Sequence, residues 1–184
     1  VNATIDPALQ VPAQVVRFRI LNGASQRVFN LGLTGNKAFS MIASDGGLLN
    51  RPVPLTRLML APGERAEILV DFSGMSGQTL SLRSFASELP SGIYGAVNPG
   101  MGPGMSLTGY NPNPLNGTDF DVLSFQVVGA LPNAIFSIPT TLDTLVRLDP
   151  QGADVTRNLT LSPQQMGPNQ LNGNFLINNR SFNH

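Results

Sequence analysis

The chain has 184 residues, a formal net charge of zero and few charged side chains, which make up 12% of the sequence. This composition argues against a protein that binds nucleic acid through an excess of basic residues. No apolar run approaches the roughly 18 residues of a membrane-spanning helix. Cysteine is absent, which excludes disulfide bonds and every mechanism that needs a thiolate from this chain.

The first twelve residues predict an extended connector rather than a folded unit. They contain Asp6-Pro7 and Val11-Pro12. Proline fixes its own φ and biases the residue before it toward extended geometry. We therefore interpret residues 1–12 as a connector and expect the folded domain to span residues 13–130.

Five short strands separated by tight turns are predicted from Val15 onward. Apolar and polar residues alternate most clearly in the first of them, as in a half-buried strand. Glycine and asparagine between the strands supply the positive φ angles of tight turns, for example at Ser44–Gly47. This density of strands indicates an all-β sandwich or small barrel. The predicted strands are Val15–Leu21, Val28–Leu33, Phe39–Ala43, Leu55–Leu60 and Ala66–Phe72.

Two further strands are predicted on either side of a long loop. They span Gln78–Phe85 and Asp119–Val128, and alternation in the second places Asp121, Leu123, Phe125 and Val127 on the expected core side. Residues 86–118 between them are rich in glycine, proline and asparagine and have hardly any periodic apolar pattern. We expect this segment to be a long, exposed, irregular loop.

The remainder of the chain predicts a linker and a C-terminal extension. Residues 131–153 are interpreted as the linker, and residues 154–184 as the extension. Alternation predicts strands at Asp154–Ser162 and Asn174–Asn178. Because these strands lack most of a sheet, their open edges favour pairing with another copy of the chain or with a further domain.

Three sequence blocks resemble the middle domain of the bacterial three-domain multicopper oxidases, the branch that includes laccases, cuprous oxidases and bilirubin oxidases. The blocks are Arg17–Gly23, Ile42–Gly47 and Leu60–Glu67, and both their order and their spacing match. The resemblance implies a cupredoxin-like Greek-key fold for this segment. It further implies that residues 154–184 open a third domain, that the partners are the first and third domains of the same parent, and that the parent is periplasmic or secreted.

The resemblance also implies where copper is bound. Family members hold one copper through two histidines and a cysteine, and a trinuclear cluster through His-x-His pairs, all in the first and third domains. This chain has no cysteine and one histidine, His184, at its end. We therefore predict no catalytic or cofactor-binding residue and no copper site in this chain, with copper in the parent. His184 is expected to be an exposed terminal residue.

The weak metal candidates of the chain are Met101 and Met105. Both lie in the glycine-rich part of the predicted loop. Thioether sulfur is a soft ligand that favours Cu(I). The alternative that both methionines simply pack on a neighbouring surface is favoured, because the loop offers no histidine or cysteine to complete a site.

Two polar groups could be mistaken for catalytic sites. Glu64 and Glu67 could act as a carboxylate pair, but surface ion pairs with Arg17, Arg19 or Arg57 are favoured. Ser44–Gly47 could contain a nucleophile, but the single histidine is remote in sequence, so a turn is favoured.

Three functions follow as hypotheses. The first is a copper-free structural middle domain of a multicopper oxidase, whose parent couples substrate oxidation to reduction of dioxygen to water. The alternative is the scaffold of a copper-free, protein-binding relative of that family. The third is a secreted carbohydrate-binding module, which is disfavoured because the chain has no tryptophan and only two tyrosines, Tyr94 and Tyr110.

Overall fold

The computed structural model describes residues 1–97, 113–146, 148–163, 166–167, 170–171 and 175–181. The chain divides into two compact units, Val1–Leu145 and Val146–His184. Met101, Met105 and His184 lie outside the described residues.

The first unit is a sandwich of two β-sheets, which confirms the all-β fold class. The first sheet has the strand order β1-β9-β8-β3-β6, and the second has the order β2-β7-β4-β5. Short 3₁₀ helices span Thr34–Asn36 and Ala86–Glu88. The strands are β1 Ala8–Pro12, β2 Val15–Leu21, β3 Phe29–Leu33, β4 Phe39–Ser44, β5 Gly47–Leu55, β6 Leu58–Leu60, β7 Arg65–Asp71, β8 Thr79–Ser84 and β9 Phe120–Val128.

Part of the predicted connector joins the first sheet as an edge strand. Ala8–Pro12 is extended as expected, but it pairs in parallel with β9, with Ala8 opposite Ser124. Val11 is 2% exposed and belongs to the core. Proline tolerates this position because an edge strand need not donate from every backbone N–H.

Strand β5 was not predicted, and the predicted strand Leu55–Leu60 is divided between the two sheets. Pro52 and Pro54 lie within β5, which is the edge strand of the second sheet, where proline is allowed. The chain then crosses at residues 56–57 and continues as β6 at the edge of the first sheet. The sequence alone did not reveal this crossing because prolines usually argue against a strand.

Aromatic rings join the two sheets in the centre of the core. The ring of Phe18 on β2 lies 5.1 Å from that of Phe125 on β9, measured between centroids. Phe72 lies 5.4 Å from Phe125 and 6.3 Å from Phe18. Phe72 and Phe125 are at most 2% exposed. The two pairs that include Phe72 are edge-to-face, and such pairs contribute about 0.5–1.5 kcal/mol each beyond the apolar area they bury.

The side chains of β9 that face the core were predicted correctly only for the second half of the strand. Phe125 and Val127 are buried as expected, whereas Asp121 is exposed. The pairing of β8 with β9 shifts register between Leu82 and Arg83, so Asp121 lies opposite Arg83. A bulge adds one residue to a strand and reverses the faces beyond it, which turns Asp121 away from the core.

The second unit contains short strands. Leu161–Pro163 (β10) pairs with Phe175–Ile177 (β13), which in turn pairs with Arg180–Ser181 (β14). Met166–Gly167 (β11) pairs with Gln170–Leu171 (β12). The strand predicted at Asn174–Asn178 is thus confirmed, but residues 154–160 of the other predicted strand are irregular, since β10 pairs only over three residues.

Candidate functional site

The described part of the chain brings no metal-binding cluster together. Among these residues, no group of three or more histidine, cysteine, aspartate or glutamate side chains lies close enough to hold a metal ion. The same residues include no helix that is long and apolar enough to cross a membrane.

Glu64 and Glu67 have separate structural roles. Glu67 binds Arg17, whose Nε donates to Oε2 at 2.7 Å, and Arg19, whose Nε lies 3.2 Å from Oε1. Oε2 of Glu64 instead accepts from the backbone N–H of Ala61 at 2.6 Å, closing the turn before β7. The predicted surface ion pairs of Glu67 are confirmed for both arginines of β2. An acid–base carboxylate pair is not formed.

The Ser44–Gly47 segment is the predicted turn. Asp45 and Gly46 connect β4 to β5 as a two-residue hairpin loop. Asp45 Oδ1 lies 3.0 Å from Arg65 Nε and also accepts from the Arg65 backbone N–H at 3.2 Å. These bonds tie the hairpin to the start of β7, so Asp45 has a structural partner.

The described parts of the predicted loop are attached to the sandwich at several points. They are residues 86–97 and 113–118, named here the loop stem. Ala86, Leu89 and Ala96 are buried and pack with Val28 in a small apolar cluster of their own. The prediction of an exposed loop over residues 86–118 is therefore wrong for Ala86, Leu89 and Ala96, whereas most other residues of the stem are exposed as predicted. Composition could not reveal the anchoring, because the apolar residues of the cluster are few and not periodic in sequence.

The first half of the loop stem is held by Arg57. Its guanidinium donates to both carboxylate oxygens of Glu88, each at 2.8 Å, and lies over the ring of Phe85 at 3.4 Å from the centroid. Hydrogen bonding from Arg57 holds the pKa of Glu88 below its ordinary value of 4.5. The buried amide of Asn30 also donates to Glu88, at 3.2 Å. Arg57 was expected to pair with Glu64 or Glu67, but it binds Glu88 instead.

The second half of the loop stem is held by Arg27. Its guanidinium donates to the carbonyl of Leu115 at 3.3 Å and to the side chain of Asn116 at 2.9 Å. The N–H of Gly117 donates to the carbonyl of Gly95 at 2.7 Å, which joins the two halves of the stem. Two arginines from different loops thus bind the two halves of the loop stem.

The segment at residues 131–145, named here the strap, lies on the outer face of the second sheet. Ile138 and Leu142 pack on Val15, Ile42 and Leu69. The N–H of Val15 donates to the carbonyl of Ile135 at 2.7 Å, and the N–H of Leu142 donates to that of Asn50 at 2.9 Å. The predicted linker therefore contacts the sandwich at Ile135, Ile138 and Leu142, while most of its other residues are exposed.

An apolar cavity of about 560 Å³ lies between the two sheets and opens beside β2 and β1. Core side chains such as Phe18, Ile20 and Phe125 line its interior, and Val1, Asn2, Leu9 and Leu21 lie at its mouth. The volume falls in the range of small-ligand pockets, but few polar groups converge on it. The sequence did not indicate this cavity, since its lining residues have the pattern of an ordinary core.

Comparison with known proteins assigns the family. The profile of the family described as "Multicopper oxidase" matches residues 8–83. A laccase of Bacillus stratosphericus is 32% identical over 166 residues, which cover 90% of this chain and 28% of that protein. The cell division protein FtsP of Rahnella sp. is 43% identical over 82 residues, or 45% of this chain and 17% of that protein.

A solved structure gives the same result for the fold. A variant of the McoA multicopper oxidase of Aquifex aeolicus superposes with a TM-score of 0.68 and 31% identity, covering 97% of this chain and 33% of that one. The chain thus spans a third or less of the length of these relatives. The sandwich is cupredoxin-like, and the profile match extends from β1 to β8. This chain therefore belongs to the multicopper oxidase family.

Proposed function

We propose that this chain is the copper-free structural middle domain of a multicopper oxidase. The parent would oxidise its substrate and reduce dioxygen to water, with every copper in flanking domains. The observation that carries this proposal is that the chain contains one histidine and no cysteine, the residue types that bind copper in this family. By itself the chain would be non-catalytic, and it would act by spacing its neighbours.

Copper, which the family implies, does not fit the residues of this chain. Blue copper needs a cysteine thiolate, and copper clusters need several imidazoles. The described carboxylates that were considered as functional are already bound to arginines or backbone N–H groups, as with Glu67 and Glu64. The proposal therefore assigns copper chemistry to other parts of the parent.

The proposed domain organisation follows the sequence prediction. Residues 13–130 would form the body of the middle domain, and the connector at 1–12 adds strand β1 to its first sheet. The linker at 131–153 would follow, and residues 154–184 would open the third domain. The contacts of the strap with the second sheet support a structural role for this segment within the first unit.

The partners and location are proposed on the same basis. The first and third cupredoxin domains of the same parent would be the partners, and the C-terminal strands could also pair with a second copy through their edges. A periplasmic or secreted parent is proposed from the resemblance to the laccase branch.

The alternative is a copper-free relative that uses the same scaffold to bind proteins. The similarity to FtsP makes it the alternative that an experiment must exclude. The test is to determine the sequence that flanks this chain in its parent and to measure oxygen consumption by the purified parent with a phenolic substrate. His-x-His pairs, a cysteine and oxygen uptake are expected. A parent without these ligands and without oxygen uptake would support the alternative.

A further inference from the structure

The free edge of β2 carries an unused row of backbone hydrogen-bonding groups. β2 is the edge strand of the second sheet and pairs only with β7. The N–H of Asn22 donates to Glu64 on the β7 side, whereas the N–H of Val15 donates to the strap. The backbone N–H and C=O groups of successive residues point to opposite edges of a strand. Those of Arg17, Arg19 and Leu21 therefore point away from β7. Within the described ranges, no backbone group binds them.

The apolar face beside this edge is incompletely covered. Phe18 and Ile20 face the core, yet both are only half-buried. The 560 Å³ cavity begins next to them and extends inward to Phe125. At its mouth, Leu9 and Leu21 are 43% and 62% exposed. Side chains from an added strand would fill this space and cover Phe18 and Ile20.

The opposite face of the same edge carries excess positive charge. Arg17 and Arg19 project there and share a single carboxylate, that of Glu67. The Arg19 side chain is 77% exposed. An incoming strand with acidic residues on this face would balance the second guanidinium, since opposite charges on adjacent strands attract.

We propose that the β2 edge and the adjoining cavity form an acceptor site for one extended peptide segment, in which apolar residues alternate with acidic ones. The segment would pair with the main chain of Arg17, Arg19 and Leu21, direct its apolar residues into the cavity and place its carboxylates beside Arg19. This is recognition by β-strand addition. The proposal goes beyond the structural role given above and does not depend on it.

Two other occupants fit the site less well. A small apolar molecule could enter the cavity but would leave the row of N–H and C=O groups unused. A second copy of this chain, paired β2 to β2, would place arginines beside arginines, and like charges on adjacent strands are destabilising.

The test uses the 184-residue chain and a fluorescein-labelled peptide of four Glu-Val repeats. The control peptide has the same composition with its valines in one block. We expect saturable binding of the alternating peptide, seen by fluorescence anisotropy, at least about tenfold tighter than binding of the block peptide. Hydrogen exchange at the amides of Arg17, Arg19 and Leu21 should slow by at least about tenfold in the complex.

Two variants with matched controls locate the site. Arg19→Glu should weaken binding by at least about tenfold, whereas Arg51→Glu on β5 should not. Leu9→Trp, which fills the mouth of the cavity, should weaken binding, whereas Met59→Trp, at a similarly exposed position on β6, should not. Circular dichroism would verify that each variant is folded.

Several results would overturn the proposal. They are the absence of saturable binding, equal binding of the block peptide, protection confined to the edges at β5 or β6, and an unchanged affinity of folded Arg19→Glu. Protection of the β2 amides that rises with protein concentration and needs no peptide would instead assign the edge to a second copy, and would equally contradict a peptide acceptor site.

Discussion

The guanidinium of Arg57 lies 3.4 Å from the centre of the Phe85 ring while it donates to both carboxylate oxygens of Glu88. One side chain, placed where the chain crosses between the sheets, thus binds Glu88 in the first half of the loop stem and Phe85, the residue that precedes the stem. The fork geometry of arginine suits both contacts at once, and lysine cannot reproduce them. Arg57 therefore anchors the first half of the stem.

Arg57→Ala is expected to lower the free energy of unfolding by about 1–2 kcal/mol, because it removes a cation–π contact and a partly exposed ion pair. Hydrogen exchange at Leu89 and Ala96 should accelerate more than exchange in β7, since these residues lie in the stem. Chemical denaturation and exchange measurements check both effects. The control is Arg51→Ala, an exposed arginine on β5, which should leave both quantities nearly unchanged.

Glu88 predicts a dependence of stability on pH. Because Arg57 holds the pKa of Glu88 below its ordinary value of 4.5, the folded state binds this proton less readily than the unfolded chain. The stabilisation that ionised Glu88 contributes to the folded state is therefore fully present above pH 4.5. It is lost as the pH falls through the lower pKa that Glu88 has in the folded state. Glu88→Gln should flatten the stability profile in this acidic range. In an Arg57→Ala background the same substitution should have little effect, and an equal effect would contradict the assigned cause.

Gly32 allows Thr56, Arg57 and Phe85 to approach β3 closely. A Cβ atom at this position would lie 2.7 Å from the carbonyl oxygen of Thr56, 2.8 Å from Arg57 Nη1 and 2.8 Å from a ring carbon of Phe85. Gly32→Ala is therefore expected to cost about 1–3 kcal/mol of stability through overpacking. Gly23→Ala, where the added atom would meet nothing within 4 Å, is the matched control for thermal denaturation. Equal melting temperatures for the two variants would refute this packing argument.

The strap predicts a local stability that a free linker would lack. Leu142→Ala removes a half-buried side chain that packs on the second sheet, and about 1–2 kcal/mol of stability should be lost. The amides of Leu142 and Val15 form two hydrogen bonds between the strap and the second sheet, and both should then exchange faster. Phe136→Ala, at a position that is 60% exposed, should change neither. Rapid exchange of both amides in the unmodified chain would show that the strap is not bound.

The sequence revealed local features more readily than long-range ones. Strands β2 and β7 were predicted within a residue or two of their bounds, because alternation and the flanking glycines are local signals. The hairpin at Asp45 was predicted for the same reason. The ion pairs of Glu67 could also be predicted, since alternation places it on the solvent face.

The features that were missed depend on tertiary contacts. The prolines of β5 obscured a strand that is tolerated only because it lies at a sheet edge, and the bulge that turns Asp121 outward has no local signal. The pairing of Arg57 with Glu88 joins residues 31 positions apart. The cavity beside β2 was missed because its lining has the alternation of a filled core.

The most direct test of the proposed role is to measure copper content and visible absorption of this chain and of its full-length parent after both have been loaded with copper. The proposal predicts a colourless chain without tightly bound copper beside a blue parent that contains it. A parent that remains colourless and copper-free would contradict the oxidase assignment and support the copper-free alternative. Tight copper binding by this chain alone would contradict its role as a copper-free domain.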